Sequence, residues 1–454
     1  MRIIRRVAAC AVAIVVIGSL GVSTLALSQI DTSGATAVKT RRVSVATDGS
    51  QLGRASEMPR LSTDGRFVAF ASKSPKLVAG DDNKSTDVFV RDRLTRTTEL
   101  VSVSSTGALG NGPSFPNAIS GDGRFVVFTS VASTFVEDDV EPGLEEALDV
   151  FLRDRQTGVT ERISVNSDGE AALGPSFDSD VSDDGRFVTF ESGAANLADN
   201  DGDQTFDIFV RDRELETTEL VSVNSDNEGG NLSSLAPSIS GDGRFVAFDS
   251  DADNLVEGDT NLATDVFVRD RELGTTELAS VGSTGELGRL GGVDPEITKD
   301  GRLVLFFSVS DFVARDTNKV GDAYVHDLQT GRTTRVSRSS TGRQGNKESF
   351  SSGISDDGRF VTFVSLSSNL VPHDTNGEYD HFRFDRVTKK TIRVNLNWRG
   401  KQARGDRGIL LSNRISGDGR FIAFESSASN LVKNDTNNAY DVFIRGPYVV
   451  PSGS

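Results

Sequence analysis

Six loops of this chain carry one acidic pattern, Asp-x-(Asn/Asp)-x-x-x-Asp. They are Asp81/Asn83/Asp87, Asp201/Asp203/Asp207, Asp259/Asn261/Asp265, Asp316/Asn318/Asp322, Asp374/Asn376/Asp380 and Asp435/Asn437/Asp441. Carboxylates and amides at alternating loop positions are the oxygen donors that a hard cation such as Ca²⁺ takes. The match covers positions one, three and seven of a Ca²⁺ loop. Position five varies (Ser85, Thr205, Ala263, Val320, Glu378, Ala439), and no distal bidentate Glu follows. The competing role is structural: Asp and Asn close Asx turns ahead of a strand, and a repeat copies what its fold needs. All eighteen residues stand as candidate metal ligands, with Ca²⁺ as the candidate ion and turn capping as the alternative.

A second cluster is basic. Trp398, Arg399, Lys401, Arg404 and Arg407 lie together in an otherwise acidic chain and include its one Trp. A Trp beside arginines suits a protein or glycan partner; the alternative is a plug packed over a channel mouth. Arg404-Gly405-Asp406 spells an adhesion tripeptide, which without structural context is read as chance. Classical catalytic patterns are missing. The histidines are His326, His373 and His381, and no Ser/His/Asp order, Gly-x-Ser-x-Gly elbow or His-x-x-x-His pair occurs. Paired carboxylates recur throughout, so spacing singles out no acid–base pair. The expectation is a chain that is not an enzyme, with no certain cofactor.

The elements that carry these residues repeat. Asp-Gly-Arg followed by an apolar run occurs seven times, with its Asp at Asp64, Asp122, Asp184, Asp242, Asp300, Asp357 and Asp418. Asp-Gly is the strongest short signal for a two-residue hairpin, so each copy reads as strand, tight turn, strand. Arg244-Phe245-Val246-Ala247-Phe248 is apolar on both alternating sets, as in a strand covered on both faces. A third strand starts at each Asp-Val-Phe-Val-like segment (Asp265–Arg269), and a polar, Thr-rich fourth strand follows (Thr275–Val281). The Arg of Asp-Gly-Arg is expected to fork onto an Asp and tie strands together.

The ends of the array complement each other. Thr40–Ser44 reads as a fourth strand without its first three, and Asp441–Arg445 completes a third strand without a fourth. The prediction is an all-β fold: a seven-bladed β-propeller of four-stranded antiparallel blades, its ring closed by the N-terminal strand completing the last blade. In such a ring the long loops share one face, which is the expected binding face.

Ser-x-Asp-Gly-Arg-Phe-x-x-Phe followed by Asp-Val-Phe-Val-Arg-Asp resembles the WD40-like (PD40) repeat of TolB-type propellers across residues 40–446. The units here average 59 residues, longer than is usual for that repeat. The α/β domain that TolB carries ahead of its propeller has no counterpart, so the resemblance does not imply TolB's partnership with an outer-membrane lipoprotein.

Residues 1–28 read as a secretory signal peptide: Arg2, Arg5 and Arg6, then an apolar run to Leu27 with small residues at its end. Residues 29–39 form a polar linker and 447–454 a tail. Cleavage after residue 28 would take the formal charge from −17 to −20 and remove Cys10, the single cysteine. Nucleic acid is then a poor partner, and thiol chemistry and disulfides are excluded. Membrane contact is expected only if the leader stays attached. The expectation is a bacterial, secreted or extracytoplasmic monomer that binds a protein or glycan through its long-loop face, without catalysis. The alternative is a propeller hydrolase or lyase acting on carbohydrate or lactone at the channel mouth. One-off polar residues converging on the axis would favour that enzyme.

Overall fold

The Asp-Gly-Arg turn departs in one respect from a two-residue hairpin. Ser62 N–H donates to Phe67 O (3.1 Å) and Gly65 N–H to Ser62 O (2.8 Å), which makes a four-residue loop. Of Asp64 and Gly65, only the glycine takes positive φ (64°). Asp64 contributes through its side chain instead, with Oδ1 accepting from Ser62 Oγ (2.9 Å) and Arg66 N–H (2.8 Å). The turn is set by carboxylate capping, not by two residues of positive φ.

The computed structural model describes residues 38–137, 148–201, 205–314, 316–406 and 413–450. The expected leader, residues 1–28, lies outside them. Seven four-stranded antiparallel sheets follow one another along the chain. In the fourth blade the strands are Ser234–Ile239, Phe245–Ser250, Asp265–Asp270 and Thr275–Leu278. The seventh sheet is completed by Lys39–Arg42, which pairs with Asp441–Gly446 so that Arg42 faces Phe443. The ring closes as the sequence predicts. Among the described residues no helix is long and apolar enough to cross a membrane.

The second and third strands are buried along almost their whole length, because each sheet is covered by a blade on either side. The core is accordingly divided into seven apolar clusters, one at each interface between adjacent blades. Within blades, facing Phe pairs stack: Phe248 lies 5.9 Å from Phe267 and Phe363 5.4 Å from Phe382. Such pairs contribute roughly 0.5–1.5 kcal/mol beyond area burial. Between blades, the turn glycine leaves room for the preceding blade's Phe. A Cβ on Gly243 would stand 2.2 Å from Phe187 Cδ2. Phe187 is in turn sandwiched between Arg186 (4.7 Å) and the next blade's Arg271 (4.6 Å), a cation–π seam between blades.

Candidate functional site

Most of the repeated polar residues hold the blades together. The Asp-Gly-Arg arginine forks onto the last Asp of the third strand in six blades. Arg244 is typical, with Nε–Oδ1 2.9 Å and Nη2–Oδ2 2.6 Å to Asp270, and Arg244 holds the Asp270 carboxyl below the usual carboxylate range. In the seventh blade Gly446 stands at that position, opposite Arg420. The seventh-position Asp of the acidic loops ties the third strand to the fourth. Asp87, Asp207, Asp265, Asp322 and Asp441 accept from Ser102, Ser222, Ser280, Ser337 and Ser44, and Asp380 accepts from Asn395. The third-position Asn makes the Asx turn: Oδ1 of Asn83, Asn261, Asn318, Asn376 and Asn437 accepts the N–H two residues on. Asp203 lies outside the described residues.

The first-position Asp is treated in two ways. In three blades a fourth-strand arginine lies between the first and seventh positions. Arg42 meets Asp435 (3.0 Å) and Asp441 (3.1 Å), Arg335 meets Asp316 (3.0 Å) and Asp322 (3.6 Å), and Arg393 meets Asp374 (3.0 Å) and Asp380 (3.5 Å). Strand register puts leucine at the same place in other blades: Leu100 opposite Phe89, Leu220 opposite Phe209 and Leu278 opposite Phe267. Among the described residues no three Asp, Glu, His or Cys side chains gather as a metal-ligand group.

Where the repeat breaks down, the residues face the axis. The residue four places before each turn Asp is Arg60, Ala118, Asp180, Ser238, Glu296, Gly353 or Arg414, chemically distinct in nearly every blade. All of these but Gly353 line an axial cavity of about 570 Å³, together with Asp178, Asp294, Lys299 and Phe350. Arg414 reaches Glu296 (3.3 Å) and Ser352 O (2.7 Å). Burial pushes the Glu296 carboxyl up against the opposing pull of Arg414. Arg60 donates to Asn117 O, and burial, with Arg414 nearby, lowers its pKa to about 10. Asp180 is anchored by Val181 N–H (2.8 Å) and Ile239 N–H (3.0 Å). Two lining hydroxyls, Ser179 Oγ and Ser351 Oγ, are buried without a hydrogen-bond partner.

The two ends of the cavity differ. At the tight-turn end, backbone bonds run from blade to blade, including Thr63 N–H to Gly121 O and Gly241 N–H to Lys299 O (both 2.9 Å). Lys299 spans to Asp183 (3.2 Å), and Thr63 Oγ1 bonds Asp356 (3.3 Å). Burial alone would lower the Lys299 pKa, but Asp180, Asp183 and Asp356 carry it up. Towards the long loops, first-strand bulges put Met58, Ala236 and Asp294 at φ of 56, 52 and 53°. Their N–H groups donate to buried carboxylates of the preceding blade: Glu425 (3.0 Å), Glu191 (2.9 Å) and Asp249 (2.9 Å). Burial raises these carboxyls, Glu191 to about 8 and Asp249 and Glu425 to about 7. None of these axial residues belongs to the acidic-loop or basic clusters. The signal that finds them is a column of unlike residues at a fixed offset from a constant turn.

Trp398 lies on the turn after the sixth blade's fourth strand, 43 % exposed and outside the cavity wall; it is not a plug. In blades one to five this position is Ser and in the seventh it is Thr47, and the hydroxyl accepts from the neighbouring blade, as Ser340 does from Thr391 N–H (2.9 Å). Arg399 (4.2 Å) and Lys433 (4.8 Å) stack on the indole instead. Lys401 and Arg404 are exposed beside it, and Arg407 lies outside the described residues. His326 is buried against Thr333 of its own blade, and His381 against Asn413 of the next.

No family model matches the chain, and no curated protein matches it in sequence. Solved structures do match. An oligogalacturonate lyase from Vibrio parahaemolyticus aligns at TM-score 0.51 and 13 % identity, covering 91 % of this chain and 94 % of that one. An oligogalacturonate lyase in complex with manganese aligns at TM-score 0.51 and 12 % identity, covering 91 % and 96 %. TolB from Acinetobacter baumannii aligns at TM-score 0.41 and 13 % identity, and the alignment covers 73 % of this chain and 64 % of TolB's length. The fold is a seven-bladed β-propeller, the architecture that the TolB-like repeat implies. The expectation that the chain is not an enzyme is corrected: a fold shared with a lyase gives no ground for excluding catalysis. That expectation rested on missing Ser, Cys and His motifs, whereas the axial residues are carboxylates and guanidinium groups drawn from separate blades.

Proposed function

We propose that the axial cavity binds a carbohydrate and acts on it by proton transfer, as a hydrolase or lyase reached from the long-loop face. The observation that carries this reading is the row Arg60, Asp180, Ser238, Glu296 and Arg414, unlike residues converging where every other column repeats. A scaffold channel would carry the same residue from each blade. Carboxylates, guanidinium groups and the unpartnered Ser179 and Ser351 hydroxyls offer a polyhydroxylated ligand both acceptors and donors. Glu296, raised by burial, is the candidate proton donor to a leaving oxygen. Arg414 and Arg60 are the candidate groups for developing negative charge. The likeness to an oligogalacturonate lyase concerns the fold and leaves the sugar open. Among the described residues the cavity's carboxylates do not gather as a metal-ligand group.

The test is a panel of neutral and uronate oligosaccharides given to the full chain. Reducing ends report hydrolysis, and ultraviolet absorbance of an unsaturated product reports elimination. Glu296→Gln should abolish turnover while ligand still binds. Absence of binding to every sugar by calorimetry would remove the reading.

A second reading concerns the rim. Trp398, exposed with Arg399 and Lys433 stacked on it, supports contact with a protein or glycan partner through Trp398, Arg399, Lys401 and Arg404. The extracytoplasmic location rests on the leader-like residues 1–28.

A further inference from the structure

The acidic loops of the first and fourth blades lack the guanidinium that their counterparts in three other blades contain. In the fifth, sixth and seventh blades Arg335, Arg393 and Arg42 put a positive charge between the first and last Asp of the loop. Strand register shows that Leu100 and Leu278 occupy the corresponding places in blades one and four. The carboxylates remain although the cation is gone. Asp87 is fully buried, and its Oδ2 makes no hydrogen bond of normal geometry. In the sister blades Oδ2 of Asp441, Asp380 and Asp322 is the atom the arginine approaches. Asp259 is 9 % exposed, and its Oδ1, the counterpart of Asp435 Oδ1 and Asp374 Oδ1 that meet Arg42 and Arg393, is likewise buried and unpartnered.

We propose that Asp81 with Asp87, and Asp259 with Asp265, each bind one Ca²⁺ ion at the place where Arg42, Arg335 and Arg393 put a guanidinium in the other blades. Two carboxylates in one loop carry the charge of a divalent ion. A hard cation with six to eight oxygen ligands completes its shell with backbone carbonyls and water. Asn83 and Asn261 donate to Gly110 O (3.0 Å) and Gly288 O (2.8 Å), the same tie that Asn318 makes to Gly345 O (2.9 Å) in an arginine blade, so this loop contact is kept with and without the guanidinium. In these two blades hydrogen bonds remain without the ion pair: Asp87 accepts from Ser102, and Asp265 accepts from Ser280 and Asn261. The arginine blades are the internal control, because there the protein supplies its own cation.

The experiment compares the full chain with Leu100→Arg/Leu278→Arg, which transplants the sister blades' guanidinium. After exhaustive chelation, each is titrated with Ca²⁺ by calorimetry and melted with and without Ca²⁺, with Mg²⁺ as control. The expected result is Ca²⁺ binding and a raised melting midpoint in the parent. The variant should lose two equivalents of Ca²⁺ and melt in chelator at or above the parent. Should the arginines prevent folding, Asp81→Asn/Asp259→Asn gives the same reading, with at least a tenfold loss of affinity expected. The proposal is overturned if millimolar Ca²⁺ neither binds nor shifts the midpoint. An unchanged stoichiometry in the variants overturns it as well, and so does an equal response to Mg²⁺.

Discussion

The outer three strands of each blade and the inner strand obey different rules. Outward of the axis, the same residue recurs at the same place: the Phe248–Phe267 stack, the Arg244–Asp270 fork and the Ser280–Asp265 tie have counterparts around the ring. On the axis the same backbone carries Arg60, Ala118, Asp180, Ser238, Glu296, Gly353 and Arg414 in turn. The first region answers a local demand made identically by each blade. The second faces one shared space, where the positions cannot all be alike if they are to build an asymmetric site. Recurrence therefore reports architecture, and its failure marks where function is concentrated.

The sharpest way to test this division is to damage a recurrent position. Phe248→Ala removes a fully buried stacked ring and should cost about 3–5 kcal/mol of stability, read as a lowered denaturant midpoint with no selective effect on the cavity ligand. A loss confined to ligand handling would break the comparison.

The bulge carboxylates lie between the two regions, and pH sharpens their place. Glu191, Asp249 and Glu425 have folded-state values of about 8, 7 and 7, above those of unfolded carboxylates. These three groups hold more protons in the folded chain than in the unfolded chain between roughly pH 4 and 8, and the stability they contribute falls as pH rises through that window. Glu191→Gln should flatten the slope and stabilise the protein at pH 8 by on the order of 1–3 kcal/mol. Melts from pH 5 to 8 that rise or stay level would contradict the assignment.

At the axis the prediction reverses. Asp178→Asn, on an exposed bulge position whose positive φ (34°) Asn tolerates, should weaken carbohydrate binding or turnover about tenfold, roughly 1.4 kcal/mol. Its melting curve should match the parent's. A large stability loss with unchanged ligand handling would place the axial column with the architecture.

The smallest effect belongs to the rim. Trp398→Ala should change stability by no more than about 0.5 kcal/mol and leave the axial ligand unaffected. Pull-down or glycan-array signals, if they depend on the rim, should drop. A strong loss of axial activity would join rim and channel into one site.

Blade number, strand order and ring closure were legible in the chain because they depend on short-range signals repeated seven times: turn glycines at positive φ, apolar strands covered on both sides, and the partial units at Thr40–Ser44 and Asp441–Arg445. The Asx turns and arginine forks were legible for the same reason. The sequence also held the axial residues, but as an unremarked column of differences, since nothing local says that Arg60 and Glu296 share a space 236 residues apart in the chain. Nor does it say that Arg42, at the start of the ring, neutralises Asp435 and Asp441 at its end. Those decisions belong to the tertiary structure. Closing the ring alone determines which side chains converge on the axis and which carboxylates receive a guanidinium, because burial and charge act through distances in space.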